Sequence, residues 1–294
     1  MSLQFLQVLN IVDQSFDSFQ TGRYRLSVRI AADSISFCMC DPDRNMYTQL
    51  ASFVNPAYKG VRRLDKQVVE DMFDKIAAMH PWINGRFAAV NILFEDCRFT
   101  LLPLSLFSST NYKTIYEFNF LNTFGEEVLF QTHTIADLAM IYGVPIGLAQ
   151  FLQYKYPFAR FHHSNFSLMT AFFNKYRNNE NKGLALVNFR NGAIDLMIVQ
   201  ERKLKLLNSY TCQTNEDVLY FLVMAIEQMG LNPETADVYL CGDIEKDNKL
   251  HLQIQKYVRN VRLMTRNDDF RYCYALEKLE SHRFYNLLNL NLCE

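Results

Sequence analysis

The sequence predicts a mixed α/β protein of two similar lobes, each built on a sheet that contains a three-strand antiparallel meander. The main observation is a pattern of three short, alternating strands that occurs twice. These strands are predicted at residues 24–32, 34–40 and 47–54, and again at 183–189, 193–200 and 204–210. A shift of 159 positions places Val28 on Val187 and Ile35 on Ile194, and it keeps the apolar residues in phase. Apolar residues at every second position are typical of strands that bury one face.

A second observation is the amphipathic helix that follows each meander. In the second lobe, Thr214 and Asp217 form a capping-box pattern, and an apolar stripe with helical spacing ends at Gly230. In the first lobe, a similar stripe begins at Val68 and ends before Pro81. Strands are predicted after these helices at 87–94 and 237–241, and the second lobe adds a helix at 248–258 and a strand at 261–264.

The first lobe is longer than the second because it carries an insertion near 97–134. The insertion is predicted to hold a strand, a helix over 109–118 and another strand. The core then resumes with a strand at 138–142, a helix at 146–156, a strand at 158–163 and a helix at 165–177. A polar run at 177–182 indicates the boundary between the lobes, so the predicted domains are 1–178 and 183–294.

The composition is that of a folded protein with little net charge. The chain of 294 residues is 49% hydrophobic and 21% charged, and 30 Lys and Arg balance 31 Asp and Glu. This balance argues against the broad basic surface that nucleic-acid binding usually needs. No signal-peptide pattern is visible, and the seven cysteines lack the spacing of a disulfide framework, so a cytoplasmic location is expected. The apolar run at 138–152 is too short for a membrane span and is predicted as a strand, a turn and a helix.

Three antiparallel strands followed by alternating helices and strands form the ribonuclease H-like plan, and two such lobes in tandem resemble the duplicated actin-like ATPase fold. Over nearly its whole length, the chain also resembles a bacterial family of unknown function with this fold. That resemblance rests on the order of the elements, on the segment 162–165 (His-His-Ser-Asn) and on the ending 283–294. It implies the fold but no known activity, and other proteins of this plan serve as scaffolds in filaments, cell division and secretion.

Actin-like ATPases hold phosphates with two glycine-containing hairpin turns, one in each lobe, and each turn begins with an aspartate. In this chain the turn of the first lobe, residues 30–34, has no glycine. In the second lobe, Asn188 stands where the fold has Asp, and Arg190 stands where it has Gly. A Gly-Gly pair that packs against adenosine is reduced to Gly242 followed by Asp243. We therefore expect neither ATP nor magnesium as a cofactor.

Nuclease chemistry is also not expected, because it needs carboxylates on the first strand and its neighbours to hold two metal ions. The first strands, 24–32 and 183–189, contain no acidic residue. We interpret Asp195 as lying on the solvent side of its strand and Asp33 as a turn residue.

The cysteines and histidines show no metal-site spacing. Cys38 and Cys40 point to one face of a strand without a second pair, and we interpret them as buried thiols. His162 and His163 are neighbours at a strand end and face opposite sides, so one ion cannot easily bind both. We interpret them as hydrogen-bonded structural residues at the cleft between the lobes.

These observations lead to two hypotheses about function. The first is a non-catalytic protein that acts as a cytoplasmic interaction or assembly module and binds a protein partner or a second copy of itself. The second is an enzyme or sensor that binds a nucleotide or another anion in an altered cleft between the lobes. A cation at the turn of Arg190 could attract an anion, although a solvated turn arginine is the simpler interpretation. The candidate ligand-binding residues are Asn188, Arg190, Asn191, Gly192, Gly242 and Asp243.

Two segments outside the repeated cores, the insertion and the tail at 265–294, are unusually aromatic. The aromatic residues that carry this observation are Phe107, Tyr112, Tyr116, Phe118, Phe120 and Phe124 among those of the insertion, and Phe270, Tyr272, Tyr274, Phe284 and Tyr285 in the tail. One interpretation is that both segments close over the lobes and complete the core. The other is that one of them forms a partner-binding surface, because the centres of protein interfaces favour aromatic residues.

Overall fold

The computed structural model describes residues 5–61, 63–95, 98–176 and 183–293. The chain divides into two compact units. The first comprises Met1–Ser167, Asp268–Lys278 and Leu287–Glu294, and the second comprises Leu168–Asn267 and Leu279–Asn286. These limits differ from the predicted domains, because the tail is divided between the units and the division precedes the predicted linker. That linker, 177–182, lies outside the described residues.

The strands of the described residues are, in chain order, β1 (Leu6–Val12), β2 (Arg25–Ile30), β3 (Ser34–Asp41), β4 (Met46–Val54), β5 (Ala89–Phe94), β6 (Phe99–Pro103), β7 (Glu126–His133), β8 (Leu138–Pro145), β9 (Arg160–His163), β10 (Leu184–Arg190), β11 (Ala193–Gln200), β12 (Lys203–Thr211), β13 (Asp237–Gly242), β14 (Asn260–Leu263) and β15 (Arg271–Tyr272). The helices are α1 (Lys66–Met79), α2 (Tyr112–Asn119), α3 (Ile146–Lys155), α4 (Ser164–Tyr176), α5 (Asn215–Gln228), α6 (Lys249–Tyr257), α7 (Tyr274–Glu277) and α8 (Tyr285–Leu288).

Each unit contains the predicted meander. In the first unit the strand order is β1-β4-β3-β2-β5-β9, with β2, β3 and β4 antiparallel and β5 and β9 added in parallel. In the second unit the order is β12-β11-β10-β13-β14, with the same change from antiparallel to parallel pairing. This is the ribonuclease H-like arrangement twice, so the predicted fold class is confirmed.

The first sheet also gains edge strands that the sequence did not indicate. β1 pairs antiparallel with β4, and β15 pairs with one end of the same strand. All residues of β1 are exposed or half-buried. Since neither face of β1 is well buried, its sequence shows no alternation from which a strand could be predicted.

The insertion forms a small sheet of its own, with the order β6-β8-β7. Helix α2 packs on this sheet through Tyr116, which is fully buried with Val128 and Ile141. The prediction that 138–142 returns to the core sheet is therefore wrong, because β8 is the central strand of the insertion sheet. Its residues from Leu138 to Val144 are all buried, and a continuous apolar run does not reveal to which sheet a strand belongs.

The core of the first unit lies between its large sheet and α1. The ring of Phe37 on β3 lies within about 6 Å of three aromatic rings in edge-on contact, namely those of Phe53, Phe73 and Trp82. The Asp65 side chain caps α1 by accepting a hydrogen bond from the backbone N–H of Val68 at 3.1 Å.

The core of the second unit lies between its sheet and α5. Leu196 on β11 and Leu222 on α5 belong to one buried cluster that also includes Ile254 of α6. The predicted capping box is present, because Thr214 accepts from the N–H of Asp217 and the Asp217 carboxylate accepts from the N–H of Thr214. Within the described residues, no helix is both long enough and apolar enough to cross a membrane.

The two aromatic segments differ in burial. In the tail, Tyr285, Leu287, Leu288 and Leu290 are buried, which agrees with a core-completing role for this segment. In the insertion, Tyr116 is buried, whereas several large apolar side chains are exposed to solvent. The tail therefore contributes to the core, although Tyr274 within it is 72% exposed, and the insertion presents Phe118, Leu121 and Phe124 to solvent.

Candidate functional site

The hairpin between β10 and β11 carries most of the candidate residues in the second unit. Arg190 pairs with Ala193, so Asn191 and Gly192 form a two-residue turn, and Gly192 has a φ of +64°. Gly192 suits this position because a residue without a Cβ adopts positive φ at little steric cost. The pairing places Asn188 directly opposite Asp195 on the neighbouring strand.

Asp195 is the centre of a polar cluster at this hairpin. Its carboxylate accepts hydrogen bonds from Nε and Nη2 of Arg190, both at 2.9 Å, in a two-pronged ion pair. It also accepts from Nδ2 of Asn188 at 2.9 Å and from Oγ of Ser209 at 2.6 Å. A carboxylate offers about four lone-pair positions, so these four donors saturate it.

Burial and charge act in opposite directions on this carboxylate. Burial alone would raise the pKa of Asp195, but the charge of Arg190 and the hydrogen bonds from Ser209, Arg190 and Asn188 outweigh it and lower that pKa. The interpretation of Asp195 as a solvent-side residue is wrong, since its side chain is only 3% exposed. Arg190 is not a solvated turn residue either, because its side chain is 10% exposed and lies against Asp195.

Gly242 and Asp243 lie beside the same hairpin at the end of β13. Gly242 pairs with Phe189, and the N–H of Asp243 donates to the carbonyl oxygen of Phe189 at 2.9 Å. A Cβ atom on Gly242 would lie 2.2 Å from that oxygen and 2.7 Å from Oδ1 of Asn188, and φ of Gly242 is +85°. Only glycine fits this position.

The thiol of Cys241 completes the packing beneath the cluster. Its Sγ lies 3.5 Å from Oδ1 of Asn188, to which it donates. Burial raises the pKa of Cys241 well above its usual value, and the nearby charge of Asp195 adds to the increase. The thiol is thus held in its unreactive, neutral form.

The turn of the first unit, 30–34, is built differently at the same place in the meander. It closes with a hydrogen bond from the N–H of Ala31 to the carbonyl oxygen of Ser34 at 2.9 Å. Arg29 donates to the hydroxyl of Ser34 at 3.1 Å and lies 3.6 Å from the carboxylate of Glu95. Glu95 corresponds to Asp243, because the N–H of each donates to a carbonyl oxygen at the end of the first meander strand of its unit.

The paired histidines have separate partners in the first unit. His162 accepts from Nε2 of Gln131 at 2.7 Å through Nδ1, and its Nε2 lies 3.3 Å from Oδ1 of Asn91. Burial, together with the charge of Arg160, lowers the pKa of His162 to about 4. His163 accepts instead from the N–H of Asn165 at 3.1 Å. The two rings therefore make their hydrogen bonds to different groups.

The cluster at the β10–β11 hairpin joins β10, β11 and β12 through the carboxylate of Asp195. The structure brings together Asn188, Arg190, Gly242 and Asp243, with Asn191 and Gly192 in the adjoining turn. Sequence reasoning missed the role of Asp195, although the Asn-Gly turn fixes the register and could have revealed it. Among the described residues, no group of three or more His, Cys, Asp or Glu is placed to hold a metal ion.

Comparison with known families matches residues 13–261 to DUF3822, a family described as protein of unknown function. The chain belongs to this family. The match spans both meanders and the insertion, so it covers the elements that form the candidate site. It agrees with the predicted resemblance to a family of unknown function with an actin-like fold. No curated protein matches the sequence.

Solved structures show the same fold. A protein from Bacteroides thetaiotaomicron with an actin-like ATPase fold and unknown function is 24% identical, with a TM-score of 0.75 over 90% of this chain and 99% of that one. PilM in the PilM–PilN type IV pilus biogenesis complex provides a second match; the aligned chain of that complex is 10% identical, with a TM-score of 0.65 over 92% of this chain and 98% of its own. At these identities the likeness shows the actin-like ATPase fold alone.

Proposed function

We propose that this DUF3822 protein is a non-catalytic interaction or assembly module of the cytoplasm. One observation carries the proposal. Where an actin-like ATPase presents an aspartate and a glycine-lined phosphate turn, this chain has the closed cluster of Asn188, Arg190 and Asp195. The polar side chains of this cluster hydrogen-bond to each other, so they are not directed at a ligand.

The electrostatics of the cluster support this proposal. An anion that binds Arg190 would have to replace Asp195, and separating a buried ion pair costs about 3–5 kcal/mol. The displaced carboxylate would also lose the hydrogen bonds from Asn188 and Ser209. The alternative function, an anion-binding enzyme or sensor, therefore requires the hairpin to rearrange.

Exposed apolar side chains on the insertion support an interaction role. Phe118, Leu121 and Phe124 are 91%, 86% and 100% exposed, and they lie within seven residues of each other. Clusters of exposed large apolar side chains on a folded protein usually mark sites of association. The PilM structure is that of a complex with PilN, which supports a protein-binding role for this fold as well.

Titration calorimetry and phosphate release with ATP or GTP and magnesium test the proposal. We expect neither saturable binding nor turnover above the protein-free rate. Micromolar nucleotide binding accompanied by hydrolysis would overturn a non-catalytic role.

Anion titrations with inorganic phosphate test the alternative. The anion hypothesis requires binding that Arg190→Gln abolishes and the control Arg259→Gln retains. Arg259 is a suitable control because its side chain is 72% exposed, lies 3.5 Å from Glu234 and precedes β14, at the other end of the sheet from Gly242. Thermal unfolding of both variants must first show that they fold.

A further inference from the structure

A loop of the first unit presents apolar side chains on a rigid support. This apolar loop, residues 117–127, includes the exposed Phe118, Leu121 and Phe124. Arg98 holds it from beneath, donating to the carbonyl oxygens of Leu121 at 2.6 Å and Asn122 at 3.2 Å. Such support fixes the shape of the loop before it meets a partner, which lowers the entropic cost of binding.

The base of the loop is tied to the insertion sheet as well. Arg98 forms a 2.8 Å ion pair with Glu126, which also accepts from the hydroxyl of Tyr116 at 2.8 Å. The ring of Phe120 packs on Tyr116 with ring centres 4.8 Å apart. The inward-facing groups of the loop are therefore packed or hydrogen-bonded within the unit. The exposed side chains of the loop do not contribute to the core.

The charge beside the exposed side chains is acidic. Glu117 and Glu127 are both exposed and flank the apolar residues on either side. The carboxylate of Glu126 is already paired with Arg98. The loop therefore suits a partner surface that is apolar at its centre and basic at its edge.

A cleft of that description lies elsewhere in the same unit. It has a volume of about 780 Å³ and is formed by residues 84–91 and by the end of α3 with the segment that follows. Its lining includes three cations, Arg86, Lys155 and Arg160, and no acidic residue. Tyr154 and Phe158, which border it, are 88% and 93% exposed. We call this the basic cleft.

The loop and the cleft lie at opposite ends of α3. The N–H of Ile146, the first residue of this helix, donates to the carbonyl oxygen of Gly125 in the loop at 2.9 Å. Lys155, the last residue of the helix, lines the cleft. Ten helical residues span about 15 Å. The loop and the cleft are therefore two separate surfaces of the first unit, so one molecule presents both.

We propose that the apolar loop of one copy of this chain inserts into the basic cleft of a second copy. Glu117 and Glu127 then face Arg86 and Arg160, and Phe118, Leu121 and Phe124 pack against Tyr154 and Phe158. Because the two surfaces differ, the contact is head-to-tail and repeats, which produces chains or closed rings. The inference rests on the proposed assembly role and identifies its partner as the protein itself.

The charges of these surfaces favour the basic cleft over two other possible binding surfaces for the apolar loop. A second groove, on α5, is bordered by Glu216 and Glu227 and repels an acidic loop. A membrane with anionic lipids repels it too. Three buried side chains contribute about 500 Å² from one partner, which is near the lower limit for a specific interface. We therefore expect association at protein concentrations of about 100 μM.

Sedimentation velocity on the full chain over a concentration series tests the proposal. The loop variant is F118S/L121S/F124S, the cleft variant is R86E/R160E, and the matched control is Phe19→Ser, because Phe19 is 98% exposed outside both surfaces. We expect wild type and the control to associate and each of the other variants to remain monomeric. An equimolar mixture of the loop and cleft variants restores one contact, so it should form dimers and nothing larger.

Several outcomes would overturn the proposal. These are a monomeric wild type at about 500 μM, association of either variant equal to wild type, and a mixture that forms no dimer. Loop-dependent binding to phosphatidylcholine–phosphatidylglycerol vesicles by a monomeric protein would assign the loop to lipid instead. Turnover measured on the same samples separates the two proposals, because association with ATP hydrolysis contradicts only the non-catalytic role. A monomer without hydrolysis contradicts only the self-association.

Discussion

Arg190 and Asp195 lie across the β10–β11 hairpin from each other and are joined by two hydrogen bonds of 2.9 Å each. Both side chains are largely buried, so neither charge is compensated by solvent. The pair joins the ends of β10 and β11 at the hairpin turn. The charge of Arg190 is therefore directed at Asp195 and not at solvent.

The pair predicts a large cost for the removal of its negative charge. Asp195→Asn leaves the buried guanidinium of Arg190 without a counter-charge. It also places the new amide N–H groups against the donors that the carboxylate accepts from in the wild type. We expect the free energy of unfolding to fall by about 3–5 kcal/mol, measured by urea unfolding at pH 7. Asp243→Asn is the control, since its carboxylate is 57% exposed and 3.9 Å from Arg283, and we expect a change below about 1 kcal/mol. Equal effects of the two substitutions would contradict the structural role of the pair.

We also predict that Gly242→Ala destabilises the fold more than the matched variant Gly230→Ala. In Gly242→Ala the new Cβ meets the carbonyl oxygen of Phe189 at 2.2 Å, and that oxygen belongs to the backbone and cannot rotate away. Gly230 has a similar positive φ, but no atom lies within 4 Å of the position that a Cβ would take there, so Gly230→Ala measures the conformational cost alone. We expect a loss of about 1 kcal/mol for Gly230→Ala and more than about 3 kcal/mol for Gly242→Ala in urea unfolding. Similar losses for the two variants would contradict the close approach at Gly242.

The buried ring of His162 predicts a pH dependence of stability. Its pKa is about 4 in the folded chain against an ordinary value of 6.5, so the folded state binds fewer protons than the unfolded state between these values. Stability from this residue is complete above pH 6.5 and falls as the pH drops towards 4, by at most about 1.4 kcal/mol per pH unit. His162→Gln cannot take up the proton, so its unfolding free energy should decline less steeply from pH 7 to pH 5. Parallel curves for the two proteins would contradict this assignment.

We predict that folding of the first unit requires the last residues of the tail. Asn291 is buried and donates to the hydroxyl of Tyr47 at 3.2 Å, and Oδ1 of Asn291 accepts from Asn91 at 3.3 Å. Removal of 284–294 also exposes the sites of Leu287, Leu288 and Leu290, so we expect no soluble folded protein. Asn291→Ala, which keeps those leucines, should fold but lose about 1–3 kcal/mol in urea unfolding. A folded, monodisperse deletion variant would show that the tail does not complete the core.

The sequence by itself determined the two meanders, the helices that follow them and the absence of glycine-rich phosphate turns. These features are local, because strand alternation, the Thr214 capping box and the Asn191-Gly192 turn each depend on residues within a few positions of each other. The shift that relates Val28 to Val187 was visible for the same reason. Most element positions were therefore predictable, with ends that differ from the structure by at most three residues.

Only the tertiary structure decided which side chains meet. Asp195 is charged, and its burial depends on donors from β10 and β12 that alternation on its own strand does not reveal. The placement of β8 in the insertion sheet required knowledge of its neighbours, since a strand buried on both faces fits any sheet. Asn91 and Asn291 are 200 positions apart in the chain yet hydrogen-bonded. Contacts of this kind arise from the sum of packing across the unit, and a local pattern of residues does not carry that information.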